Sequence, residues 1–167
     1  MVLIFEWLFC IEILGLKTIK FLDFYNKMKT LLSKSQVENL LPQKAPFAMV
    51  DGLVELNREA FSTLTIAEDN LLVNKNHFSE AGLLEFMAQS IAISSAFTEE
   101  AQKEAKVGFI GAIRKAEIVA LPEVGTQIFG KVEKQYEAIG IQLAKVEVFN
   151  SSEELLAWAE IKTVLSS

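Results

Sequence analysis

The chain has 167 residues, 51% of them hydrophobic and 23% charged, which suits one domain with one core and is too apolar for a disordered chain. It carries 16 basic and 22 acidic residues, a net charge of -6, the wrong balance for a dedicated nucleic-acid binder. One cysteine, Cys10, excludes an intrachain disulfide, and one histidine, His77, excludes a zinc site built from several Cys and His ligands of one chain.

Residues 1–27 form an apolar extension, and residues 28–167 read as a single domain. The run MVLIFEWLFCIEILGL carries Glu6 and Glu12 and no basic residue before Lys17, which is not the pattern of a secretory signal. Two acids inside a membrane span each cost roughly 2.5–3.5 kcal/mol. Three readings stand: a misplaced start, with Met28 opening the natural chain; an amphipathic helix packed on the body or on a partner; or a membrane anchor. Lys17, Lys20, Lys27 and Lys29 follow the run, so an anchored form keeps the domain in the cytoplasm. Membrane contact is expected only if residues 1–27 are genuine, and the domain itself is expected to be cytoplasmic.

Ser35 to Leu41 reads as a short helix, with Ser35 as N-cap, Glu38 three residues on, and Pro42 as the stop. FAMVDGLVEL, from Phe47, reads as a strand, Asn57–Arg58–Glu59 as a turn, and AFSTLTIAE as the returning strand. Asp69 to Ser79 is a polar loop. Glu80 to about Lys106 is the strongest helix, capped by Ser79, and it is apolar almost all round from Leu83 to Phe97. VGFIGAIRKAEIVAL, TQIFGKVEKQYEAIG, IQLAKVEVFN and LLAWAEIKTVL then read as four strands, with a hairpin turn at Ile139–Gly140. The fold class is α+β: a long central helix wrapped by a curled antiparallel sheet.

The polar residues of that apolar helix are the chemical signal. Glu85 and Gln89 are four apart and share a face. Glu85 is either an acid favoured by the positive end of the helix dipole or a pocket-facing carboxyl able to act as acid or base. Gln89 reads as a hydrogen-bonding support. His77 leads into the helix and is by itself an ordinary surface residue. Gly82, near the helix start, either offers a backbone N–H to a developing oxyanion or serves close packing. Phe47, Phe61, Phe86 and Phe109 read as core, and Lys44, Lys75, Arg114 and Lys115 as solvated surface.

LLPQKAPFAMVDGLVEL, then HF, then GLLEFMAQS, resembles the 3-hydroxyacyl-acyl-carrier-protein dehydratases, which have the hot-dog fold. GFIGAIRKAEIVALPEVGTQI is similar to their strand, turn and strand after the helix, and the resemblance spans about Ser35 to Val164. It implies His77 as the base that removes the proton next to the thioester carbonyl. It implies Glu85 as the acid that protonates the departing hydroxyl, with Gly82 holding the enolate-like oxygen and Gln89 in support. It also implies an acyl carrier protein as partner and an obligate homodimer whose subunits share the catalytic side chains. No metal or cofactor is implied. The chain departs in two places. FSEAGLL is shorter than the family's usual connection and lacks its two Pro–Gly steps, and Gln43 stands where many members have histidine. Short-loop relatives are the dehydratase-like proteins of aryl-polyene pigment synthesis. The alternatives on the same fold are a non-catalytic acyl-binding or partner subunit, or an acyl thioesterase. A docking patch for an acidic carrier protein would draw on Lys44, Lys75, Arg114 and Lys115.

Overall fold

The structure is a computed structural model, and it describes residues 27–97 and 108–165. The apolar run at the N-terminus and the expected helix tail after Phe97 lie outside these residues.

The chain enters through β1 (Lys29–Leu32), a strand the sequence reading did not expect, and turns into α1 (Lys34–Leu40). The cap of α1 is Ser33 rather than Ser35: the Ser33 N–H donates to Gln36 Oε1 at 2.9 Å, so Gln36 and not Glu38 closes the first turn. The strand expected from Phe47 begins only at Gly52. Residues 47–51 are instead a strap that crosses the long helix, for reasons given below. β2 (Gly52–Leu56) and β3 (Glu59–Thr65) are joined by Asn57 and Arg58, at φ 52° and 68°. Positive φ at both central residues gives the primed turn that matches strand twist. The loop expected at Asp69–Ser79 contains a second such hairpin, β4 (Val73–Asn74) and β5 (His77–Phe78), turning at Lys75 and Asn76. Then come α2 (Glu80–Phe97) and four long strands: β6 (Gly108–Ile118), β7 (Gln127–Ala138), β8 (Ile141–Asn150) and β9 (Leu155–Leu165).

The seven-stranded sheet runs β1-β2-β3-β7-β8-β9-β6 and is antiparallel throughout. Its inner face holds Ala144, Val146 and Val148, paired with Ile161, Ala159 and Ala157, all in the core. These side chains, several of them only a methyl, leave room for α2 to lie close to the sheet. Gly130 of β7 carries this furthest: a Cβ there would stand 2.5 Å from Ser62 Oγ and 3.0 Å from the Phe86 ring. The outer face carries charges instead. Lys145 pairs with Glu147 at 2.6 Å, Lys131 with Glu59 at 2.7 Å, and Trp158 Nε1 donates to Glu117 at 3.0 Å.

Leu83, Phe86, Met87, Ile91 and Ile93 of α2 are fully buried, and no residue from Gly82 to Phe97 is exposed. A helix covered on nearly every side needs no polar stripe, which accounts for its all-round apolar sequence. This is the hot-dog fold that the resemblance implies. Of the four phenylalanines read as core, only Phe86 belongs there. Phe47 and Phe109 are exposed, and Phe61 is half-buried on the outer sheet face. Among the described residues no helix is long and apolar enough to cross a membrane.

Candidate active site

Gln89 organises the first half of the site. Its side chain is 1% exposed, which demands partners for its amide. Nε2 donates to the Phe47 carbonyl and to Glu85 Oε1, both at 2.7 Å, and Oε1 accepts the Met49 N–H at 2.7 Å. The strap at residues 47–49 therefore closes a backbone ring on the Gln89 amide rather than joining a strand. The same amide fixes Glu85. With Oε1 facing a donor, Glu85 presents Oε2 as the oxygen left to give or take a proton. Glu85 is half-buried, on the less covered side of α2.

Below this pair the helix is tied to the sheet by hydroxyls. Ser90 Oγ lies 2.6 Å from Ser62 Oγ and donates to the Phe86 carbonyl at 2.7 Å. These serines read as unremarkable in the sequence, because only the strand register brings Ser62 under the helix.

His77 belongs to a different region. It sits on β5, with its side chain 44% exposed. Nδ1 is 3.0 Å from the Lys75 carbonyl, which can only accept, so Nδ1 carries the proton and Nε2 is the basic nitrogen. Nε2 lies 3.8 Å from Glu123 Oε1 in the turn before β7. No hydrogen bond or ion pair joins His77 to Glu85 within the described residues of the chain. Phe78 anchors the hairpin: its N–H donates to the Pro122 carbonyl at 2.8 Å, and its fully buried ring fills the space over Gly82. A Cβ on Gly82 would fall 2.5 Å from that ring, so close packing requires the glycine. The Gly82 N–H donates to Ser79 Oγ at 3.3 Å, the cap expected for α2.

The structure thus brings Glu85 and Gln89 into one hydrogen-bonded unit, and sets Gly82 and His77 on the two sides of Phe78. Of the basic candidates, the Lys44 ammonium is held by the Glu38 and Leu41 carbonyls at the end of α1. Lys75 lies on the hairpin turn, and Arg114 and Lys115 on β6. A groove of about 200 Å³ lined by Phe61, Phe129 and Phe149 opens on the outer sheet face, and none of the four site residues lines it. No cluster of His, Cys, Asp and Glu able to hold a metal occurs among the described residues.

Residues 35–166 match the ApeP dehydratase family (ApeP-like). The chain belongs to this family. Dehydratase-type chemistry is therefore the activity class of the fold as this family uses it. Among solved structures, the dehydratase heterocomplex ApeI:P from Xenorhabdus doucetiae is similar at 17% identity and a TM-score of 0.69, over 78% of this chain and 91% of that one. Zebra fish thioesterase superfamily member 2 is similar at 11% identity and a TM-score of 0.60, covering 80% and 95%. The PaaI protein of the E. coli phenylacetic acid degradation operon follows at 13% and 0.53, covering 67% and 80%. At these identities the structures establish the hot-dog fold. No curated protein matches the sequence.

Proposed function

We propose that the chain dehydrates a 3-hydroxyacyl thioester carried on acyl carrier protein to the trans-2-enoyl thioester. The observation that supports it most is the Glu85–Gln89 unit: a carboxyl on the accessible side of a buried helix, with one oxygen pinned and the other presented. His77 Nε2 removes the proton next to the carbonyl, and Glu85 gives its proton to the departing hydroxyl, so water leaves and the double bond forms. The Gly82 N–H, whose bond to Ser79 Oγ is a long 3.3 Å, donates to the enolate-like oxygen once the serine side chain swings away.

Because no hydrogen bond or ion pair joins His77 to Glu85 among the described residues, the pair is completed by a second subunit in this reading. β6 supports this reading. It is an edge strand whose residues Gly108 to Glu117 are all exposed, and an unpaired edge of that length templates another strand. The partner is a second copy of this chain, docked edge to edge. The similar ApeI:P structure is named a dehydratase heterocomplex, which supports assembly of subunits on this fold without fixing that they are identical.

The test is incubation of the full chain with a 3-hydroxyacyl-carrier-protein thioester, read by product mass, beside His77→Ala and Glu85→Gln. Loss of one water, absent in both variants, is the expected result. Loss of water that survives His77→Ala moves the base elsewhere. An unchanged mass over several acyl lengths makes the chain a binding or partner subunit, and release of free acid makes it a thioesterase. Light scattering of the full chain is expected to report twice the 18.6 kDa monomer.

A further inference from the structure

His77 has a charged neighbour that the acid–base pair does not use. Glu123 faces it across an isolated β-bridge. The Phe78 N–H donates to the Pro122 carbonyl at 2.8 Å, and the Val124 N–H donates to the Asn76 carbonyl at 3.0 Å. These two bonds bracket His77 and Glu123, which are therefore opposite residues of the non-hydrogen-bonded kind. In such pairs the Cα atoms approach to about 4.5 Å and the side chains lie close. The main chain sets the imidazole and the carboxylate side by side.

Glu123 is also held from its other side. Its carbonyl accepts the Thr126 N–H at 3.1 Å, closing a turn that has Gly125 at φ 84° in its third position, where such turns demand glycine. The Gly125 N–H donates to the Ile66 carbonyl at 2.8 Å and fastens the turn to the body. The carboxyl itself reaches into solvent, 67% exposed, and its ion-pair neighbour among the described residues is His77 alone.

The spacing of the pair has a chemical cause. The Lys75 carbonyl keeps the ring proton on Nδ1, so Nε2 offers a lone pair. A carboxylate oxygen offers another. Two acceptors share no hydrogen, and they stand 3.8 Å apart. Once Nε2 takes up a proton it becomes a donor on a cation, and a charge-assisted bond of about 2.7–2.9 Å opens to the pair. The contact is unmade in the resting chain and made by protonation of the ring.

We propose that Glu123 is a positioning residue for the base: it closes on His77 Nε2 as the substrate proton arrives and stabilises the imidazolium. The inference rests on the reading of His77 as the base. The proton next to the thioester carbonyl passes to Nε2, and the hydroxyl leaves as water with the Glu85 proton. His77 then holds one proton too many and Glu85 one too few. Solvent takes the first and supplies the second, so the cycle closes without another reactant. A carboxylate that bonds only the protonated ring stabilises the transition state and leaves substrate binding alone.

The experiment compares the full chain with Glu123→Ala and Glu123→Asp on a 3-hydroxyacyl-carrier-protein thioester. Glu123→Ala is expected to lower kcat about three- to tenfold, a charged hydrogen bond discounted for exposure, with KM and the urea midpoint unchanged. Glu123→Asp keeps the charge one methylene shorter and is expected to recover part of the loss. A second readout needs no substrate. The chain has one histidine, so heavy-nitrogen labelling of histidine gives the signals of a single ring. At about pH 5, where an ordinary imidazole is protonated and an ordinary glutamate is charged, the Nε2 resonance is expected to move between wild type and Glu123→Ala. Nδ1, held by the Lys75 carbonyl, is expected to stay in place. An unchanged kcat in Glu123→Ala, a change confined to KM, or an unmoved Nε2 resonance overturns the inference and leaves the dehydratase standing. No loss of water by the wild type overturns the reading of His77 as the base, and the inference falls with it.

Discussion

The two halves of the candidate site are built to different standards. The carboxyl half is fixed inside the chain: Gln89 makes three hydrogen bonds of 2.7 Å, and the strap it binds cannot move without breaking two of them. The histidine half is a hairpin of two-residue strands, with a ring 44% exposed that hydrogen-bonds the Lys75 carbonyl and lies 3.8 Å from Glu123 Oε1. The chain preorganises its acid completely and its base only as far as the tautomer. What remains to be set, the placement of Nε2 against a substrate, falls to a second subunit in the proposed reading.

The largest effects follow from that division. Glu85→Gln and His77→Ala are each expected to lower kcat by about 10²–10⁴-fold, the usual contribution of general acid–base catalysis. The halves can be told apart by mixing the two variants. If His77 and Glu85 act across subunits, a mixed dimer recovers one intact site, and activity returns to a fraction of wild type. If both act within one chain, mixing restores nothing.

Gln89→Ala comes next. It leaves the buried Met49 N–H without a partner, at about 1–3 kcal/mol, and the part-buried Phe47 carbonyl at less, since water can reach it. Urea unfolding is expected to show that loss, and the residual activity is expected to fall, because Glu85 loses the donor that fixes it. His77→Ala is expected to change the urea midpoint little, since its contacts are exposed. Equal destabilisation by the two variants would break the contrast between the halves. Gly82→Ala tests the seam between them. The new methyl meets the buried Phe78 ring at 2.5 Å, an overpacking cost of about 1–3 kcal/mol, and it displaces the hairpin that carries His77.

How far these features could be read from the sequence follows the same line. Glu85 and Gln89 are neighbours by helical period alone, and α2 is long and unbroken. The Ile139–Gly140 turn and the bounds of β9 were legible because hairpin chemistry is local. The strap was not, because Phe47–Met49 has a strand-like composition and leaves the sheet only to satisfy an amide 40 residues away. β1 and the β4–β5 hairpin are four residues or fewer per strand and exist through their pairing partners. Ser33 and Ser35 each precede a glutamine or glutamate at the capping distance, so the sequence does not separate the two caps. Gly82's contact with Phe78 needed the hairpin to be folded before it could be seen.

The smallest expected effect acts on the far end of the strap. Asp51 closes it: Oδ2 accepts the Thr65 N–H at 2.9 Å, and Oδ1 lies 2.9 Å from the Lys34 ammonium of α1. The Asp51 carboxylate, by hydrogen bond and by charge, raises the Lys34 pKa above its ordinary 10.5. A folded-state pKa raised above the unfolded one means the pair's contribution is fully present below 10.5 and disappears as pH rises through the raised value. Lys34 is largely exposed, so screening by water and salt holds that contribution to about 1 kcal/mol or less. Lys34→Met is therefore expected to lower the urea midpoint slightly at neutral pH and to converge with wild type in strong base. Activity is expected to stay unchanged, because the Gln89 amide holds the strap at Phe47 and Met49, upstream of this tie. A fall in kcat in Lys34→Met would show that the preorganised half of the site extends beyond the helix it is built on, to the first turn of α1.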